Sequence, residues 1–198
     1  MGEVRSSHGW DHVQRVRTSA AGMAHEEGAD RRIVDIAALL HDVGRQAEEE
    51  SGGTLCHAAE GARISRLFLD DLGVEGPVVR AVVHCVESHR FRGGPEPSSA
   101  EARVLFDADK LDSIGAVGLG RAFLFAGEVG ARLHNPEVRP ETCPSRGPED
   151  SALREFLVKL RWVRDRLLTD AGRRMASGRH EFMLRFFEEL DAEVKGER

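Results

Sequence analysis

The adjacent residues His41 and Asp42 are the sharpest local feature of this sequence that suggests a chemical role. His41 falls four residues after Ala37 and continues an apolar stripe with helical spacing, so we expect it on an inward face. Burying an imidazole and a carboxylate without partners is costly. A divalent metal would satisfy both, because imidazole nitrogen and carboxylate oxygen are ligands for Mn, Fe, Mg or Zn. Taken alone, the dipeptide also fits an ordinary core histidine beside a solvated aspartate.

Two distant segments could supply further ligands. His12 lies four residues before Val16 and so beside the apolar stripe of the first predicted helix, with His8 one turn earlier. Far downstream, three acids directly follow an apolar helical run: Asp107, Asp109 and Asp112. Burying such a patch without cations would be costly, so we expect a bound divalent cation to neutralise part of it.

The elements that must position these residues all have helical spacing. One valine-rich run after Pro77 has strand propensity, but its length and its early proline favour a helix. A proline-rich segment at 127–149 is expected to be a loop. With no strand alternation, the pattern predicts an all-α fold, with helices near 10–27, 33–44, 57–73, 98–111, 115–126, 153–167 and 182–190, and one that starts near Pro77 and contains Val78, Val79, Val82, Val83 and Val86.

Composition limits the classes of function. The chain has 198 residues and a net charge of −6, which suits one core and does not suggest a general polyanion binder. We therefore expect no nucleic-acid polymer as partner, although a local basic pocket is compatible with this charge. No apolar run reaches the roughly 20 residues of a membrane helix, so no membrane association is expected. Three scattered cysteines favour reduced thiols and a cytoplasmic location.

Several segments together resemble one known family. The sequence is similar to the HD-domain metal-dependent phosphohydrolase superfamily over essentially the whole chain, and most of all to its small single-domain bacterial hydrolases. The resemblance implies one HD domain over 1–198, with a metal-site core at about 8–126, the loop 127–149 and C-terminal helices at 150–194. The segments that carry it are HGWDHVQRV, AALLHDVGR, HAAEGARI, VESHRFRG, VLFDADKLDSIGAVGLGRAF, REFLVKL and RHEFM.

The resemblance also implies a ligand set. It assigns the metal to His12, His41, Asp42 and Asp109, with Mn, Mg, Fe, Co or Ni as the divalent ion. One ion is expected and a second is compatible with the sequence. His57 and His89 match histidines that bind a second ion in some relatives and face the substrate phosphate in others. The paired His-His and the GYP tripeptide of the cyclic-di-GMP phosphodiesterase branch are missing, so that branch is not expected.

Charged neighbours suggest how phosphate would be handled. Asp42 could be both ligand and water-orienting base, since a bound divalent ion lowers the pKa of its water. The candidate phosphate clamps are Lys110 beside Asp109, Arg15 one turn after His12, and Arg45 after the His-Asp pair; each could equally be a solvated cation. Arg90 and Arg92 would add positive potential near the mouth of the site.

Three functions remain open from the sequence. The first is a metal-dependent phosphohydrolase that cleaves a phosphomonoester or pyrophosphate bond in a small phosphorylated substrate, with a nucleotide as the favoured class. The second is a di-iron oxygenase on the same fold, which would need His57 and another histidine for its second iron. The third is a non-catalytic helical module that binds a nucleotide. Either a monomer or a homodimer is expected.

Overall fold

The computed structural model describes residues 9–90, 93–137, 139, 143 and 146–198, so His8 and Arg92 lie outside the described residues. Within these ranges the chain forms α-helices and no strand, and the predicted all-α class is confirmed. The helices are α1 (Trp10–Glu26), α2 (Arg31–Leu40), α3 (Arg45–Glu50), α4 (His57–Asp71), α5 (Gly76–Ser88), α6 (Ala100–Leu111), α7 (Gly115–Glu128), α8 (Ala152–Val158) and α9 (Asp170–Lys195).

The described residues group into two compact units. The first contains the chain up to Asp109 together with Leu168–Gly172, and the second contains Lys110–Leu167 and Arg173–Arg198. That residues 1–198 form one HD domain stays a prediction. Among the described helices, none combines the length and the apolar character needed to cross a bilayer.

The first unit is built from α1 to α5 and most of α6, with α1 against α2, α2 against α5, and α4 against α5. The side chain of Asp30 caps α2 by accepting a hydrogen bond from Arg32 N at 2.8 Å. The valine-rich run forms helix α5, whose first turn contains a proline and whose Val79, Val82 and Val86 are fully buried. This packing fixes the helix ends from which the candidate ligands project.

A close approach of two backbone segments joins the turn after α2 to the start of α4. A Cβ atom on Gly44 would collide with the carbonyl oxygen of His57 and lie 2.6 Å from the amide nitrogen of Gly61. Gly44 has a φ of −85°, so the close approach, and not a left-handed conformation, requires glycine here. The short helix α3 that follows was not anticipated, because six residues without an apolar stripe give no periodic signal.

The second unit contains α7, α8 and most of α9, with α7 packed against α8. One continuous helix over 153–167 was predicted, and this is wrong: α8 ends at Val158 and two short 3-10 turns follow at 160–162 and 164–166. Phe156, Leu160, Val163 and Leu167 are nevertheless all buried. Because an i, i+3 spacing also aligns side chains in a 3-10 turn, the apolar pattern alone does not distinguish the two.

Candidate metal centre

Two of the candidate histidines are placed by the ends of helices. His41 and His89 follow directly after the last residues of α2 and α5, and both are almost completely buried. Each Nδ1 lies beside the carbonyl oxygen three residues back, at 2.8 Å from Ala38 O and 2.6 Å from Val86 O. A carbonyl oxygen only accepts, so Nδ1 carries the hydrogen in both rings. In the neutral rings, Nε2 is therefore left with a lone pair.

The first donor group consists of His12, His41 and Asp109. His12 projects from α1 and is fully buried, with its Nε2 3.2 Å from His41 Nε2 and 3.5 Å from Asp109 Oδ1. Asp109 comes from α6, and its side chain is 12% exposed. Three helices that are far apart in sequence thus bring two imidazoles and a carboxylate together.

The second donor group consists of Asp42, His57 and His89. His57 is the first residue of α4 and is buried. Its Nε2 lies 4.0 Å from Asp42 Oδ1, and His89 Nε2 lies 3.8 Å from the same oxygen. The sequence left open whether these two histidines bind a second metal or contact phosphate. The structure brings both of them close to one carboxylate oxygen, Asp42 Oδ1.

Asp42 lies between the two groups. Its Oδ2 is 3.6 Å from His12 Nε2 and 3.5 Å from His41 Nε2, while its Oδ1 faces the second donor group. The side chain is only 5% exposed. One carboxylate thus presents one oxygen to each set of imidazoles, an arrangement in which it could serve two cations or one.

Burial sets the protonation of these rings. Loss of solvent lowers the pKa of His41 to about 4, against the opposing charges of Asp42 and Asp109. Burial, followed by the charge of Arg45, lowers the pKa of His57 to about 4 as well. Both rings are therefore neutral near pH 7, which is the form in which an imidazole binds a metal.

The donor set fits a divalent ion. With metal–ligand distances near 2.0–2.2 Å, neighbouring ligand atoms in octahedral or tetrahedral spheres lie about 3.0–3.5 Å apart. The nitrogen and oxygen atoms around His12 are separated by 3.2–3.6 Å, which matches this spacing. The donors are imidazole and carboxylate groups with no thiolate among them. This set suits Mn, Fe, Co, Ni or Mg better than metals that prefer thiolate ligands.

Two arginines and a glutamate adjoin the second donor group. Arg45 Nε donates to Asp42 Oδ1 at 2.9 Å, and Arg45 Nη1 donates to Glu48 Oε2 at 3.2 Å. The same Glu48 oxygen accepts from His57 Nδ1 at 2.9 Å. Arg90 lies 3.9 Å from the other oxygen of Glu48 and donates to Cys56 Sγ at 3.0 Å. Burial alone would raise the pKa of Glu48, but the His57 hydrogen bond and neighbouring positive charges lower it.

The other predicted clamps stand differently. Arg15 is half-buried on α1 and donates to Asp11 Oδ2 at 2.6 Å. Lys110 directly follows Asp109 in α6 and is the first residue of the second unit. The roles proposed for Lys110, Arg15 and Arg45 in binding phosphate stay predictions.

The three acids of the patch on α6 have different surroundings, and the expectation that a cation neutralises part of the patch stays a prediction that concerns Asp109. Asp107 is fully buried, and its carboxylate accepts hydrogen bonds from Leu168 N, Thr169 N and the Thr169 hydroxyl, the last at 2.6 Å. Asp112 accepts from Arg121 Nη1 at 2.9 Å. Hydrogen bonds from the protein therefore stabilise Asp107, and an ion pair with Arg121 neutralises Asp112. Asp109 is the member of the patch that faces His12.

Comparison with known proteins assigns the family. A family model described as the HD domain matches residues 9–114, which include both donor groups. The chain belongs to the HD-domain family. A solved HD-superfamily hydrolase from Bacillus thuringiensis has the same fold, with a TM-score of 0.75 and 29% identity over 96% of this chain and 88% of that one. The predicted resemblance to this superfamily is confirmed.

Two other HD-domain relatives bear on function. The uncharacterized protein YpgQ of Bacillus subtilis is 35% identical over 195 residues, 96% of this chain and 86% of that protein. Its crystal structure in complex with ADP matches with a TM-score of 0.75 over 96% of this chain and 92% of that one. Ribonuclease Y of Chloroflexus aurantiacus is 36% identical over 112 residues, which are 55% of this chain and only 20% of that protein.

The sequence did not predict that Glu48 would lie at this site and contact His57. Glu48 is one of three consecutive glutamates, and no pattern distinguishes it from Glu49 or Glu50. The one available signal was its distance of three residues from Arg45, the spacing at which helical side chains meet. Its contact with His57 depends on how α3 lies against α4, which a local pattern does not predict.

Proposed function

We propose that this protein is a metal-dependent phosphohydrolase that acts on a small phosphorylated molecule, with a nucleotide as the favoured substrate class. The observation that carries the proposal is Asp42, a nearly buried carboxylate with two imidazole nitrogens facing each of its oxygens. The ADP complex of the related YpgQ supports the choice of a nucleotide. The bond cleaved would be a phosphomonoester or a pyrophosphate bond.

Each residue would have a definite task. His12, His41, Asp42 and Asp109 would hold the first ion, with His12 Nε2 lying 3.2–3.6 Å from a nitrogen or oxygen atom of each of the other three. A divalent ion at such a site supplies an acidified water and neutralises charge on the phosphoryl group. Asp42 would also orient the attacking water, held by its hydrogen bond from Arg45. Arg15 and Lys110 would bind phosphate oxygens.

The hydrogen positions in the second donor group favour a second cation over a direct phosphate contact. His57 and His89 each place Nδ1 beside an oxygen acceptor and Nε2 on the side of Asp42, and in the neutral form of either ring this Nε2 has a lone pair. A phosphate oxygen needs a hydrogen donor, whereas a cation needs a lone pair. We therefore propose two ions, with Asp42 contributing to both groups.

The test is a screen for released phosphate and pyrophosphate over nucleoside mono-, di- and triphosphates with Mn²⁺, Mg²⁺, Co²⁺ or Ni²⁺, beside metal analysis. We expect two ions per chain and turnover of at least one nucleotide. His12→Gln should abolish turnover, while His25→Gln, an exposed residue near the end of the same helix, should not.

Three results would overturn the proposal. Two irons per chain with oxygen uptake would indicate the di-iron oxygenase. Nucleotide binding without product in all four metals would indicate a non-catalytic module. Cleavage of a short RNA, with all free nucleotides left intact, would indicate a polymer substrate like that named for ribonuclease Y.

A further inference from the structure

Three imidazoles of the candidate metal centre, those of His41, His57 and His89, turn Nε2 toward the Asp42 carboxylate. Their Nδ1 atoms are held in two different ways. His41 and His89 follow the C-terminal ends of helices, where carbonyl oxygens without a helical partner accept their Nδ1–H. His57 begins α4, and the first turn of a helix presents free N–H groups instead of carbonyls. His57 therefore needs an acceptor from elsewhere, and Glu48 supplies it at 2.9 Å.

We propose that Glu48 is a positioning residue that holds His57 as the Nδ1–H tautomer and so sets the affinity of the second donor group for its ion. The inference rests on the proposed metal-dependent function. An ionised carboxylate accepts hydrogen bonds and donates none, so the ring nitrogen bonded to it must carry the hydrogen. The other nitrogen, Nε2, then keeps its lone pair on the side of Asp42.

The surroundings of Glu48 fit this task. Arg45 donates to the same oxygen that His57 contacts, and Arg90 lies 3.9 Å from the other oxygen, so the carboxylate is held between two guanidinium groups. Its side chain is 19% exposed, in contrast to the exposed Glu49 beside it. Arg45 also donates to Asp42. It therefore links Glu48, which orients His57, to Asp42, which His57 faces.

Histidine ligands in metal sites commonly donate their second nitrogen to a carboxylate, which fixes the ring and makes it a stronger ligand. Removing such a partner costs about 10- to 100-fold in metal affinity or activity. The effect here should fall mainly on the ion of the second donor group, because in the first group the ring of His41 has its own backbone acceptor.

The first measurement uses the metal-free full chain. Long-range ¹H–¹⁵N spectra of the histidine rings report which nitrogen carries the hydrogen. We expect His57 to be the Nδ1–H tautomer in the parent protein and a mixture of both tautomers in Glu48→Leu, with His41 and His89 unchanged. Glu49→Gln, one residue away, is the matched control and should leave all three rings as in the parent.

The second measurement is a Mn²⁺ titration of the same proteins, read by the loss of free-ion signal in electron paramagnetic resonance. Glu48→Leu should weaken binding of one ion about 10- to 100-fold and leave the other within about twofold. Glu48→Gln, which keeps an oxygen acceptor but loses the charge, should fall between the parent and Glu48→Leu.

The outcomes separate this inference from the function on which it rests. Unchanged His57 tautomer and unchanged binding of two ions in Glu48→Leu would overturn the positioning role and leave the metal centre intact. If the parent protein bound no Mn²⁺, the two-ion centre itself would be wrong. A folded Glu48→Leu protein that lost both ions while His57 kept its Nδ1–H tautomer would also contradict the role, because the loss would then not act through His57.

Discussion

Asp107 and Asp109 lie two residues apart on α6 and have opposite surroundings. Asp107 is fully buried and accepts hydrogen bonds from two backbone amides and a hydroxyl of residues 168 and 169. Asp109 is slightly exposed and faces the imidazole of His12 at 3.5 Å. The more deeply buried carboxylate is thus the one that accepts backbone and hydroxyl hydrogen bonds, and the one nearer the surface faces an imidazole. Burial of an acid is therefore a poor guide to a metal site, and the kind of neighbour is a better one.

The glycine beside Asp107 shows how closely that carboxylate is enclosed. A Cβ atom on Gly172 would collide with Asp107 Oδ2 and lie 2.8 Å from Thr169 Oγ1. The Thr169 hydroxyl in turn accepts from Gly172 N at 2.9 Å. Asp107 therefore holds the residues that lead into α9, whereas Asp109 belongs to the first donor group.

The largest expected effect separates the two acids by activity. In Asp109→Asn, we expect the rate of phosphate release to fall about 1000-fold, because a lost ion removes several kcal/mol of transition-state stabilisation. In Asp107→Asn, the rate per folded molecule should stay within about tenfold of the parent. The measurement is product release at saturating Mn²⁺, normalised to the folded fraction. Equal losses in both variants would contradict the distinction.

Stability should separate the same two variants in the opposite order. Asp107→Asn replaces an acceptor of three hydrogen bonds by an amide that competes as a donor, so the free energy of unfolding should fall by about 3 kcal/mol. Asp109→Asn should change it by less than about 1 kcal/mol in the metal-free protein, since the Asp109 side chain is less deeply buried and its replacement has nearly the same shape. Urea unfolding without metal measures both, and a larger loss in Asp109→Asn would refute our account of the patch.

The smallest expected effect is a pH dependence that belongs to the donor cluster and not to Asp107. Folding lowers the pKa of His41 and His57 from 6.5 to about 4, so below pH 6.5 the unfolded chain takes up protons that the folded chain does not. The free energy of unfolding of the metal-free protein should therefore fall as the pH is lowered, by about 1.5 kcal/mol for each ring between pH 6.5 and 5. Below this range, carboxylates also titrate.

Variants and metal locate this pH dependence. His57→Gln should reduce the loss between pH 6.5 and 5, whereas His25→Gln and Asp107→Asn should leave its slope unchanged. Saturating Mn²⁺ should make the loss steeper as protons displace the ion. A slope identical in His57→Gln and the parent would show that the titrating groups lie elsewhere.

The sequence predicted the helical class and most helix positions because amphipathic spacing is a local property. It also grouped His12 with His41, Asp42 and Asp109, and the structure brings their side chains together, although their role as ligands stays a prediction. The grouping came from resemblance to a family and from apolar stripes that placed these residues on inward faces.

What the sequence could not predict depends on partners that are distant in the chain. The donors that satisfy Asp107 come from residues 61 and 62 positions later, and nothing in the run around Asp107 indicates them. Glu48 lies in a run of equivalent acids and is selected only by the approach of α3 to α4. The predicted continuous helix at 153–167 failed because the apolar spacing fits two backbone conformations.

The main-chain contact at Gly44 has a consequence for how the centre could adapt to different ions. Backbone atoms of the turn that carries Asp42 touch the first turn of α4, so the distance between Asp42 and His57 cannot shorten by sliding one segment past the other. An ion of larger or smaller radius would therefore be accommodated by rotation of the donor side chains and not by a shift of the two backbone segments. The backbone fixes the spacing of the centre, and its side-chain torsions are the adjustable part.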